Sequence, residues 1–142
     1  MAAGLVLGAT ASLIIADNNT ESSSPSGAET SIARDFSYLD GQYALHGRQK
    51  IEGLVMAGQE VLTVRTLRWI KERGHNNLFD LVAVSLGGRS LNIQTHACVL
   101  LKTMDPVLLK SHVPLMQQAL GRIKDPGLLQ AAQDLVARVE SS

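Results

Sequence analysis

Two stretches in the C-terminal half of this chain superimpose on each other, and a chain that repeats itself has few folds open to it. The first reads as a helix over Asn77–Leu86, with Leu78, Leu81, Val82, Ser85 and Leu86 at the i, i+3, i+4, i+7, i+8 spacing of one helical face. Gly87-Gly88-Arg89 reads as a tight turn. Ser90 suits the N-cap of a second helix, Leu91–Met104, whose core face is Ile93, Ala97, Leu100, Leu101 and Met104. Shifting Leu81, Val82, Ser85 and Leu86 by 34 positions gives Leu115, Met116, Ala119 and Leu120. Shifting Ser90, Ile93, Ala97, Leu100, Leu101 and Met104 by 35 gives Asp125, Leu128, Ala132, Leu135, Val136 and Val139. Caps fall on caps and core on core. The extra residue falls in the turn, where insertions are tolerated. A weaker copy lies 31 positions upstream of the second helix, at Leu62, Thr66, Trp69 and Ile70.

The punctuation agrees with the repeat. Asp105-Pro106 and Asp125-Pro126 each place a capping carboxylate before a proline suited to the first helical position. Pro114 belongs in the first turn of a helix running to about Ile123, and the last helix spans Gly127–Glu140. The run Val113–Leu120, followed by Lys124–Leu135, resembles an armadillo/HEAT repeat, with Val107–His112 in the place of the short first helix of an armadillo-type triplet. The resemblance covers about residues 60–140 and departs from the family upstream, in the Asp17–Ser31 insertion and the glycine-interrupted Ile32–Ala57 region. It implies an all-α fold, either a short armadillo/HEAT-like α-solenoid or an irregular helical bundle. Its units would be about 45–73, 75–104 and 106–140, within a repeat domain over 32–142. It also implies a binding scaffold without chemistry, serving an extended peptide or another protein. The composition fits such a core: 45% of residues are apolar but only 4% aromatic, so Leu, Val, Ile, Ala and Met must fill it.

Upstream the pattern is less regular. Met1–Ala16 carries no charged side chain. It reads as a helix buried on most sides rather than a secretory signal, because the basic n-region is missing. It is shorter than the roughly 20 residues a membrane span needs. Residues 17–31 are Ser-rich and aperiodic and read as a flexible loop. Ile32–Ala57 contains Gly41, Gly47 and Gly53, which predicts two helices instead of one rod. Glu60–Arg73 is the next helix, with Leu62, Thr66, Leu67 and Ile70 inward and Trp69 at the boundary; Gly74 ends it. An uncharged first helix also predicts that further repeats or a partner cover it, through self-association at Leu5, Leu7, Leu13 and Ile14. On this reading the chain is the terminal part of a larger helical-repeat scaffold.

Catalytic chemistry finds little support. His96 and Cys98 sit two apart on one helix, so their side chains diverge by about 200° and form no nucleophile–base pair. No zinc-ligand spacing appears among His46, His75, His96 and His112, and no cofactor or metal is expected. Gly87-Gly88-Arg89-Ser90 lacks the lysine and the preceding strand of a phosphate-binding loop, so it reads as a plain turn. The 13 basic and 13 acidic residues cancel, which removes the electrostatic footprint of a nucleic-acid binder. Arg65, Arg68 and Lys71 form the one local basic stripe; it reads as a solvated helix face, with Glu72 pairing to Arg68. In solenoid geometry the last helix of each unit lines one surface. Arg65 and Arg68, then Asn92, Thr95 and His96, then Gln130, Gln133 and Asp134 would form a ladder for a protein or peptide partner. The alternative is an anion or nucleic-acid binder using Arg65, Arg68 and Lys71. A membrane role is disfavoured, and an intracellular location is expected, with secretion the alternative.

Overall fold

The computed structural model describes residues 27–142, of which Asp35–Ser142 form one unit. Its described residues form helices and turns with no strand among them, so the fold is all-α. The elements are α1 (Gly27–His46), α2 (Arg48–Ala57), α3 (Glu60–Arg73), α4 (Phe79–Ser85), α5 (Leu91–Thr103), α6 (Pro106–Leu109), α7 (Val113–Leu120) and α8 (Pro126–Glu140). Short 3-10 turns, Asn76–Leu78 and Lys110–His112, lead into α4 and α7. The uncharged Met1–Ala16 segment lies outside the described residues, and with it Leu5, Leu7, Leu13 and Ile14.

Local chemistry sets most boundaries. The Ile32–Ala57 region divides in two at Gly47, whose φ of 71° an L side chain tolerates poorly. Gly41 and Gly53 remain inside helices, since a mid-helix glycine costs only about 1 kcal/mol relative to alanine. α1 begins at Gly27, inside the segment expected to be loop as far as Ser31; Ala28 and Glu29 are good helix formers and extend the helix backwards. α3 ends at Gly74, φ 66°, whose N–H donates to the Ile70 and Lys71 carbonyls. α7 stops at Leu120, before the expected Ile123, because Gly121, Arg122 and Ile123 close successive tight turns onto Gln118, Ala119 and Leu120.

The three expected caps are present. Ser90 accepts from the Ile93 N–H at 3.2 Å, Asp105 from Val107 at 3.0 Å, and Asp125 from Leu128 at 2.9 Å. Pro126 occupies the first helical position, where no donor is needed. Replacing Asp125 with Ala should cost about 1 kcal/mol, read as a lower urea midpoint at unchanged slope. A midpoint equal to that of the parent protein would show that the carboxylate does not hold α8.

The helices pack as three hairpins, α2–α3, α4–α5 and α7–α8, in two layers. One layer runs α2, α4, α7 and the other α3, α5, α8, with α6 against α8. The apolar stripes meet between the layers, where Ile51, Leu67, Ile70, Val82, Leu86, Ile93, Leu101 and Met116 are buried. Ala97 and Ala132 occupy equivalent buried positions, as the 35-residue shift requires. α4, flanked on both sides, is covered almost all round. At its end, a Cβ on Gly87 would come within 2.9 Å of the Ala119 Cα, so the approach of α7 requires glycine there.

Trp69 departs from its expected boundary position: it is fully buried, while Leu62 is only half-buried. The second half of α1 covers the far side of α3. Leu39 is buried there, the Tyr43 ring meets Trp69 edge-on at 5.6 Å, and Asp40 accepts from the indole N–H at 2.7 Å.

Candidate functional site

The solvent face of the α3–α5–α8 layer carries the residues that the ladder requires. α3 and α5 keep their first turns side by side, where the Asn92 amide donates to Glu60 at 2.8 Å. Arg138 of α8 donates to the Lys102 carbonyl of α5 at 3.1 Å, holding their last turns together. On this layer Arg68, Asn92, Thr95, His96, Gln130, Gln133 and Asp134 are exposed and Arg65 is half-buried.

Several ladder members already bond within the protein. Asn92 is held by Glu60, the His96 ring Nδ1 donates to the Asn92 carbonyl at 2.9 Å, and Gln130 donates to Asp134 at 3.0 Å. Hydrogen bonds from Ser90 and then Asn92 hold the Glu60 carboxyl below its usual range, helped by the charges of Arg89 and His96. Arg68, Thr95 and Gln133 make no side-chain hydrogen bond among the described residues. Glu72 lies 3.6 Å from Lys71 and not against Arg68 as expected, and Lys71 is half-buried, so the basic stripe is interrupted by an acid.

The same layer also exposes three apolar side chains beside the polar ladder. Val61 is 61% exposed, Leu91 53% and Val99 54%. Val61 and Val99 sit opposite the buried stripes of their helices, and a helical wheel finds them once outward apolar positions are sought.

Comparison with protein-family models, curated proteins and solved structures finds no match.

Neither catalytic candidate gains from the geometry. Cys98 is buried and its thiol is pushed up by that burial, whereas His96 is exposed on the other side of α5. Among the described residues no three His, Cys, Asp or Glu side chains come together as a metal site. No described helix is long and apolar enough to cross a membrane. Gly88 serves packing, since a Cβ there would come 2.8 Å from Ile93 Cγ2.

Two polar networks position the layers and had no sequence signal. Arg89 crosses from the second hairpin to the first. It donates to the carbonyls of Val55 at 2.9 Å and Met56 at 3.2 Å, to that of Gly58, and to the Thr63 hydroxyl at 2.9 Å. It thereby satisfies carbonyls that the end of α2 leaves open. Asp40 of α1 accepts from Trp69 and, at 3.0 and 2.9 Å, from Arg73.

The Arg73 and then Trp69 hydrogen bonds hold the Asp40 carboxyl below its ordinary range. A carboxyl with a depressed pKa in the folded state stabilises the fold above its unfolded pKa, near 3.9, and loses that contribution as pH falls through the folded value. Asp40→Asn should therefore flatten the fall in thermal midpoint below about pH 4. An acid limb of unchanged steepness would assign the acid sensitivity to other carboxylates.

Proposed function

We propose that this chain is a non-catalytic protein-interaction module of the armadillo/HEAT-like helical-repeat type, binding a peptide or protein partner on the solvent face of α3, α5 and α8. The observation that carries this reading is the exposure of Val61, Leu91 and Val99 on two adjacent helices, flanked by Arg68, Thr95, Gln130 and Asp134. Single exposed apolar residues are ordinary. Three on neighbouring helices with a polar surround have the anatomy of an interface, in which an apolar centre excludes water and a polar rim orients the partner. The side chains bonded within the protein, Asn92, Gln130 and Asp134, add rigidity, so less conformational entropy is lost on association.

The test pairs Val61→Asp with Val99→Asp. Both positions face solvent, so the thermal midpoint should hold, while proteins captured by the intact chain should bind at least about tenfold more weakly to the double variant. Equal capture by both proteins would remove this face from the function. Salt dependence reports on the chemistry of the contact. An apolar protein interface weakens little between roughly 50 and 200 mM salt, whereas binding to a nucleic-acid backbone through three cations falls by about fortyfold. A fall that steep would transfer the function to phosphate binding at Arg65, Arg68 and Lys71.

A further inference from the structure

We propose a second binding surface, which adjoins the first at Leu91: a groove along the hairpin-turn edge that takes an extended acidic peptide with alternating apolar side chains. Three adjoining hollows, of about 290, 410 and 100 Å3, lie along this edge, and Arg122 lines all of them. Their walls come from all three hairpins, through Met56 of the first, Val84 and Arg89 of the second, and Leu115 and Lys124 of the third.

The groove is held in shape by buried polar contacts. Gln94 is 7% exposed, and its amide donates to the Gly88 carbonyl at 2.8 Å and reaches the Arg122 carbonyl at 3.5 Å. That contact fixes the second and third turns beside each other, and Arg89 ties the first turn to the second.

The charges along the groove are unbalanced. Both Nη groups of Arg89 are occupied, and its charge lies near Glu60. The Asp125 carboxylate, the acid lining the 410 Å3 hollow, is held by the Leu128 N–H. Arg122 and Lys124 are exposed, and their side chains make no hydrogen bond or ion pair among the described residues. The hollows thus carry more positive than negative charge: Arg122 stands beside the half-buried Val84 and Leu115, and Lys124 beside Leu91 and the carboxylate of Asp125.

An extended strand points successive side chains to opposite sides, so one sequence can set carboxylates toward Arg122 and Lys124 and apolar side chains toward Val84, Leu91 and Leu115. A small free anion would satisfy the charges and leave those apolar side chains uncovered. A nucleic acid would find no aromatic side chain in the lining on which to stack its bases.

The experiment uses the full chain and a fluorescein-labelled decapeptide of alternating Glu and Leu, followed by fluorescence anisotropy, with an alternating Lys and Leu peptide as its opposite-charge counterpart. The Glu/Leu peptide should bind and the Lys/Leu peptide should not. The charge-reversed double variant Arg122→Glu, Lys124→Glu should weaken Glu/Leu binding at least about tenfold, and raising salt should weaken binding to the parent protein. Val99→Asp, on the other face, should leave it unchanged, which separates failure here from failure of the reading above. Absence of Glu/Leu binding, equal binding of both peptides, or indifference to the charge reversal at an unchanged thermal midpoint would each overturn the proposal.

Discussion

Trp69→Ala is expected to remove about 3–5 kcal/mol of folding stability, the largest single effect foreseen for this protein. The indole is completely buried, so truncation leaves a cavity as well as losing transfer energy. Three further contacts go with it: the edge-on Tyr43 ring, the His75 ring at 4.7 Å, and the Asp40 carboxylate at 2.7 Å. Trp69→Phe restores part of the ring packing but not the N–H donor. It should lose less, since Asp40 keeps Arg73 as a partner. Trp69 is the chain's one tryptophan, so unfolding has to be followed by circular dichroism rather than fluorescence. A urea midpoint close to that of the parent protein would mean that the second half of α1 is held to α3 by other contacts.

Arg89→Ala comes next, at about 2–3 kcal/mol. One guanidinium satisfies the Val55, Met56 and Gly58 carbonyls and the Thr63 hydroxyl, and removing it strips the part-buried Val55 carbonyl and Thr63 hydroxyl of a charged donor while opening the exposed Met56 and Gly58 carbonyls to water. Arg89→Lys should recover little, because a point charge on a flexible stem cannot serve four acceptors in a fixed fork geometry. Amide exchange should quicken first over the last turn of α2 and the first of α3, the segment that Arg89 clamps. Full recovery by lysine would reduce the contact to simple charge.

Where this chain encodes its fold locally, the encoding is plain. Glu60–Arg73 appears with both predicted ends because an acidic start, a basic last turn and a left-handed glycine all act within that helix. Ser90, Asp105 and Asp125 cap for the same reason: the donor that each serves lies two or three residues away. The matching of Ala97 with Ala132 follows from periodicity alone, since equal spacing puts equal residues on equal faces. Trp69 was misplaced because a helical wheel assumes one buried face, whereas α3 is covered from a second side by α1, whose contact residues lie about 30 positions upstream.

The candidate surfaces divide along the same line. Which polar residues of α3, α5 and α8 face solvent was legible, because facing outward is the complement of facing the core. That Asn92 bonds to Glu60, that Arg89 closes the end of a helix in the neighbouring hairpin, and that Arg122 stands at the meeting of three hollows was not. Those contacts span roughly 30 positions, and their partners are backbone carbonyls or side chains brought near by packing, which leave no period or motif behind. Helix identity, caps and repeat spacing were determined by the sequence itself, through interactions that close within one or two turns. The all-round burial of Trp69 and the cross-hairpin clamp of Arg89 were decided only by the tertiary structure, because both depend on how neighbouring helices are laid against each other.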